Sequence, residues 1–246
     1  MSGLLTVTEV ADYLKTTTTT VYRWLREGKL TAVKIGKEWR FDEAQLNLQL
    51  NKKKNTAGTI SYFWQSLQRS DHVLLITNKN SDITRFEASL FQRGLSEGAT
   101  LMKGCWWQDE DEVVDQYARH GLDASSLIKD GILCVFNFSK LFEKEGIGGP
   151  VKAWRSSIEN AVSRGAPRLW ASGSPNMSCC GSDPSLVLAF EKNLNDALKD
   201  SPVIGFCPYS LEDESNNEHF DKIITLMGYH SGVAFYSDGQ FSLLRQ

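Results

Sequence analysis

The chain has 246 residues, a formal net charge of −3, 41% apolar and 23% charged residues. At roughly 100–200 residues per domain this fits one or two domains, and the composition excludes an intrinsically disordered chain. No apolar run approaches the ~20 residues of a membrane-spanning helix. The start MSGLLTVTEV lacks the basic and apolar stretches of a signal peptide, so a cytoplasmic protein without a membrane partner is expected.

The charge is divided unevenly along the chain. Residues 1–54 hold ten lysines and arginines against six acids; the remainder holds 17 against 24. A basic head on an acidic body points to a polyanionic partner for the head. The five cysteines (Cys105, Cys134, Cys179, Cys180, Cys207) form no CxxC pair, and reduced thiols are expected.

In chain order, Thr6-Val7-Thr8-Glu9 is a capping box, in which hydroxyl and carboxylate each satisfy a backbone N–H. Val10, Ala11 and Leu14 then mark a short helix. Thr16 to Thr20 suits a turn and an N-cap. Val21, Trp24 and Leu25 stripe a second helix that Gly28 ends. Ala32–Ile35 and Trp39–Phe41 read as strands around a Gly36-Lys37-Glu38 turn. Asp42 then caps a third helix carrying Ala44, Leu46 and Leu50. This order is a helix-turn-helix followed by a wing, assigned to residues 1–50. Residues 51–60, with three consecutive lysines, read as a linker, or as a solvated helix end that leaves the boundary in place.

From residue 61 to 246, strand-like and helix-like segments alternate. Val73–Thr77, Leu101–Trp107, Ile132–Phe138, Leu169–Ser172 and Val203–Tyr209 read as strands. Continuous apolar runs of this kind belong to strands covered on both faces. Helical stripes follow at Phe86–Leu95, after Asp109–Glu112, at Trp154–Val162, after Asp183-Pro184, and at Phe220–Met227. Gly232–Tyr236 and Phe241–Leu244 close the chain as a hairpin around Asp238-Gly239. Alternation of this kind defines an α/β domain with a mainly parallel sheet.

The recognition helix of such a head presents short polar groups to base edges and basic groups to phosphates of double-stranded DNA. Thr18, Thr19, Tyr22, Arg23 and Arg26 fit that face, with Lys37 and Arg40 on the wing. Two such heads on a two-fold axis, held by the larger body, imply a homodimer. The body has no GxxxxGK[ST] phosphate cradle: Gly36-Lys37 is followed by Glu38, and Gly146–Pro150 reads as a loop. ATP hydrolysis is therefore not expected. His72, His120, His219 and His230 are scattered, with no HExxH or GxSxG; Gly173-Ser174-Pro175 lacks the second glycine. No catalytic residue, metal site or cofactor is expected, and the protein is not read as an enzyme. Cys179-Cys180 reads as a soft-metal or redox pair, or as two ordinary thiols in a loop.

Parallel sheets bind ligands outside the carboxyl ends of their strands. Those ends carry Thr77, Asn78, Trp106, Trp107, Asn137, Phe138, Ser172, Ser174, Cys207 and Tyr209. They form either an aromatic pocket for a small apolar effector or part of the core.

Two resemblances sharpen this reading. LTVTEVADYL, TVYRWLREGKL and KIGKEWRF, over residues 4–50, resemble the excisionase/MerR-type winged helix-turn-helix. His72–Ile76, Gly94–Gly98, Phe206–Tyr209 and Tyr229-His230 resemble the MEDS sensory domain of dichloromethane-regulator-type proteins, over about residues 65–236. That second resemblance implies a RecA/KaiC-like α/β fold without a working P-loop, and sensing of small hydrocarbon derivatives. It implies His72, Cys207, Tyr209 and His230 as ligand-site positions, beside Trp106, Trp107 and Phe138. The combined expectation is a one-component transcriptional regulator. The alternatives are an excisionase-like architectural DNA binder whose body recruits a partner, and a degenerate RecA-like nucleotide-binding signalling protein.

Overall fold

The computed structural model describes residues 4–43, 46, 62–173, 184–212 and 218–245. The chain divides into two compact units, residues 1–59 and 60–246. The reading of residues 51–60 as a linker lies outside the described residues, as do Ala44, Leu50, Ser174 and the Cys179-Cys180 pair.

In the head, β1 (Leu4–Thr6), α1 (Val7–Tyr13), α2 (Thr18–Arg26), β2 (Val33–Ile35) and β3 (Glu38–Asp42) follow in order. The capping box at α1 forms: Glu9 N–H donates to Thr6 Oγ1 at 3.2 Å, and Thr6 N–H to Glu9 Oε2 at 2.7 Å. Strand β1 was not anticipated, because three residues are too few to show alternation. It pairs antiparallel with β3, Leu5 opposite Phe41, and makes a three-stranded sheet in the order β1-β3-β2. Val7, Val10, Ala11, Val21, Leu30, Phe41 and Leu46 form the core of this unit.

The body holds β4 (Asp71–Thr77), α3 (Asn80–Ser96), β5 (Thr100–Cys105), α4 (Glu110–Ala118), α5 (Ala124–Lys129), β6 (Leu133–Asn137) and α6 (Phe138–Glu145). It continues through α7 (Gly148–Ser163), β7 (Leu169–Ser172), α8 (Pro184–Leu198), β8 (Val203–Ser210), α9 (Glu218–Met227), β9 (Gly232–Ser237) and β10 (Gln240–Arg245). The sheet order is β10-β9-β4-β8-β7-β5-β6. Among the described residues of this sheet, the β9–β10 hairpin pairs antiparallel, with Ser237 opposite Gln240, and the other pairs are parallel.

Each central strand feeds two cores. Val73 and Leu75 pack with Phe86 and Phe91 of α3 and Tyr117 of α4. Leu74 and Ile76 pack with Trp154 of α7 and with Val187, Phe190 and Leu194 of α8. Covering both faces with helices explains the unbroken apolar run of β4, because every position of the strand is inside.

The sequence hid the short helix α6 and the first turn of the longer α7. Helix α6 begins at Phe138, which the sequence places at the end of a strand. Asn137 caps it, its Oδ1 accepting from Lys140 N–H at 2.9 Å. The β-rich run ILCVFNF conceals the boundary. Gly148–Pro150, read as loop, instead open α7. A Cβ on Gly149 would come within 2.4 Å of the Leu141 carbonyl oxygen, so only glycine lets α7 approach α6 so closely. Gly104 of β5 is equally constrained: a Cβ there would lie 2.1 Å from the Phe138 ring. Gly104→Ala should destabilise the body by about 1–3 kcal/mol through overpacking. A urea titration reads this as a lower midpoint at unchanged slope. An unshifted midpoint would show that the Phe138 ring moves aside freely.

Candidate functional site

The threonine run divides by role in the head. Thr17 is the N-cap of α2, accepting from Thr20 N–H at 3.3 Å, and the Thr17 and Thr20 hydroxyls lie 3.0 Å apart. Thr18 and Thr19 are left exposed, in line with exposed Tyr22, Arg23 and Arg26. Val21 on the opposite side is fully buried. Lys37 is exposed at the β2–β3 turn, while Arg40 is half-buried and paired with Glu38. The sequence reading missed that pairing, which joins two residues on the same face of β3.

In the body, the ligand-site positions separate into two groups. Trp106 and Phe138 are buried, their rings 5.7 Å apart, with Phe142 and Phe190 against Trp106. Trp107 turns outward, 44% exposed. It lines a cleft of about 500 Å³ with Asn80, Thr84, Gln108, Gln116 and His120 among others. This cleft lies beyond the carboxyl ends of β4 and β5. It is polar as well as aromatic.

His72, Cys207, Tyr209 and His230 gather elsewhere, between the sheet and α8. His72 is the second residue of β4. Cys207 lies mid-strand in β8, two residues beyond Gly205, the register partner of His72. Residues two apart on a strand share a face, so both side chains meet α8. His230 sits in the segment leading into β9. Ser231 N–H donates to His72 O at 2.7 Å, and Ser231 Oγ accepts from His72 N–H at 3.1 Å. A fifth residue, Glu191 of α8, joins them, fully buried. The sequence reading missed it, although a signal was present. Val187, Glu191, Leu194 and Leu198 follow one helical stripe, so the carboxylate interrupts an apolar face.

The donor atoms converge. His72 Nε2 lies 3.2 Å from Cys207 Sγ and 3.3 Å from Glu191 Oε2. His230 Nε2 lies 3.5 Å from Glu191 Oε2. The Tyr209 hydroxyl donates to Glu191 Oε1 at 2.8 Å, holding the carboxylate in place. Each imidazole is held by its far nitrogen: His72 Nδ1 donates to Tyr229 O at 3.0 Å, and His230 Nδ1 to Leu226 O at 2.7 Å. Carbonyl oxygens only accept, so both Nδ1 atoms carry protons and both Nε2 lone pairs face the cluster. Burial and the neighbouring His230 lower the His72 pKa, favouring the neutral ring. Burial, with Glu191 nearby, raises the Cys207 thiol well above its ordinary value.

A helix-turn-helix head and a mainly parallel α/β body make this a two-unit protein. Residues 4–53 match the model of a helix-turn-helix domain, and residues 71–224 match that of MEDS, the MEthanogen/methylotroph, DcmR Sensory domain. The chain belongs to the MEDS family. His72, Glu191 and Cys207 fall inside the matched segment, and His230 lies beyond it. Among curated proteins none matches the chain. A similar solved structure is the KaiC-like protein PH0186 from the hyperthermophilic archaeon Pyrococcus horikoshii OT3. The two are 15% identical with a TM-score of 0.48, over 69% of this chain and 72% of that one. Among the described residues no helix is long and apolar enough to cross a membrane.

Proposed function

We propose that the protein is a cytoplasmic one-component transcriptional regulator, a homodimer that binds DNA through its head and senses a small hydrocarbon-derived effector through its body. The observation that carries this reading is the single exposed face of α2, where Thr18, Thr19, Tyr22, Arg23 and Arg26 stand together opposite buried Val21. Short polar groups suit base edges, and guanidinium groups suit phosphates. Lys37 extends the basic surface on the wing. The family to which the body belongs is a sensory one. The cleft beside Trp107 is open to solvent and has room for a small molecule. The absence of a GxxxxGK[ST] motif supports a sensor that does not hydrolyse ATP. No catalytic role is proposed.

The test is fluorescence anisotropy of the full chain on a duplex selected from a random pool. Binding should fall linearly in log–log terms with added salt, because each phosphate contact releases counterions. Arg23→Ala and Arg26→Ala should flatten that slope, by roughly one unit for each phosphate that the variant no longer engages. Sedimentation of the complex should show two chains per duplex. An effector found in a panel of small hydrocarbon derivatives should shift DNA affinity some 5–150-fold, the usual range of allosteric coupling. Trp107→Ala should abolish that shift. Binding that ignores salt, or no binding at low salt, would refute the reading.

A further inference from the structure

We propose that His72, Glu191, Cys207 and His230 form a tetrahedral site for one divalent transition-metal ion of the zinc class. The inference stands on the geometry of the body alone and does not depend on DNA binding by the head.

The first argument is an account of protons. Both imidazole Nδ1 protons are committed to backbone carbonyls, of Tyr229 and Leu226. Glu191 Oε1 is occupied by the Tyr209 hydroxyl, leaving Oε2 to face the histidines. The cluster therefore presents two nitrogen lone pairs, one carboxylate oxygen and one sulfur, with a single thiol proton among them. That proton can serve His72 Nε2, 3.2 Å from Sγ. Glu191 Oε2 and His230 Nε2 remain buried without a hydrogen-bond partner. Buried polar atoms are nearly always satisfied, and an orphaned facing pair of acceptors calls for an electron-pair acceptor between them.

The second argument is size. Nitrogen, oxygen and sulfur ligands about 2.0–2.3 Å from a tetrahedral zinc lie roughly 3.3–3.6 Å from one another. Three of the six separations here are 3.2, 3.3 and 3.5 Å, and all four donor atoms lie within 4.8 Å of one another. The third is charge. When the ion binds, the Cys207 thiol gives its proton to solvent and an S–metal bond forms, with no change of oxidation state. Thiolate and carboxylate then neutralise a doubly charged cation, so a fully buried site carries no net charge. A singly charged soft ion would leave a buried negative charge. The fourth is support: both histidines carry the Nδ1–carbonyl contacts, and the carboxylate the phenol contact, that orient metal ligands. The sequence hid the site because its members come from β4, α8, β8 and the segment before β9, up to 158 residues apart.

The experiment begins with elemental analysis of the full chain purified in chelator-washed buffer. It continues with cobalt(II) titration of chain stripped of metal. We expect one equivalent of cobalt, intense visible bands of a tetrahedral ion, and a near-ultraviolet thiolate-to-cobalt charge-transfer band. Stoichiometric zinc should bleach both the visible and the charge-transfer bands. Cys207→Ser should remove the charge-transfer band, and Glu191→Gln should weaken binding. Tyr209→Phe keeps the packing but frees the carboxylate, and should weaken cobalt binding about 10–100-fold. Circular dichroism checks that each variant is folded. If Cys207→Ser or Glu191→Gln does not fold, Tyr209→Phe decides. Failure to take up cobalt, pale octahedral bands, or a charge-transfer band that survives in Cys207→Ser would overturn the proposal. So would a histidine nitrogen spectrum showing a doubly protonated imidazole against Glu191 in chain that refuses metal.

Discussion

Lys103→Met should cost the body about 3–5 kcal/mol, the usual penalty for removing one partner of a buried ion pair. Lys103 on β5 and Glu87 on α3 are both essentially inaccessible, 2% and 1% exposed, with Nζ and Oε1 2.6 Å apart. The Ser172 hydroxyl donates to the same oxygen at 2.6 Å, and the Tyr117 hydroxyl donates to Oε2 at 2.8 Å. Methionine fills the space of the lysine stem but leaves the carboxylate charge uncompensated in an apolar core. Out of a domain stability of about 5–15 kcal/mol, such a loss is large. Lys103→Met with Glu87→Gln should recover most of it. Glutamine is uncharged; its oxygen accepts from one of the Ser172 and Tyr117 hydroxyls, and its NH2 donates to the other. Urea midpoints for the single and double variants measure both effects. A double variant as unstable as the single one would place the cost in poorer packing, and the charge would then be irrelevant.

The difference between what was legible in the sequence and what was not follows the range of the interactions. Local chemistry reads well. The Thr6–Glu9 capping box, the α2 stripe ending at Gly28, and the β4 run all depend on residues within a few positions of each other. Their structures match the reading. Strand β1 escapes because three residues become a strand only when β3, some 35 residues later, supplies the ladder. Helix α6 escapes because Phe138 serves both as the end of an apolar run and as the first buried residue of a helix. The buried cluster shows the same division. His72, Cys207 and His230 are visible through the resemblance to MEDS, but their convergence needs the order β9-β4-β8. Glu191 was readable as a charge on an apolar helix face, yet nothing local says that two histidines await it there. The aromatic strand ends show how apolar composition misleads. Trp106 and Phe138 are core, Trp107 is surface, and the sequence treats the three alike.

Phe41→Ala should unfold the head and leave the body intact. Phe41 is fully buried on β3, opposite Leu5, in a core with seven buried members among the described residues. Truncating a buried phenylalanine costs about 3–5 kcal/mol, from the transfer energy of the ring and the cavity left behind. A unit of 59 residues buries a smaller share of its surface than a large one, so its margin is thin. Without the Phe41 ring, β3 keeps only the half-buried Trp39 against the described head core, and the surface on which Thr18, Thr19 and Arg23 are held in register is lost with it. Helix α2 has nine residues, too few to persist in water without packing. DNA binding should therefore vanish, although no residue of the exposed face has changed. The 60–246 unit has two cores of its own, and its melting should match the parent. Calorimetry of the full chain should show the loss of a head transition beside an unmoved body transition, with anisotropy measured on the same samples. A body transition that falls together with the head would mean that the two units share their stability. Retained DNA affinity would mean that α2 is organised by something other than this core.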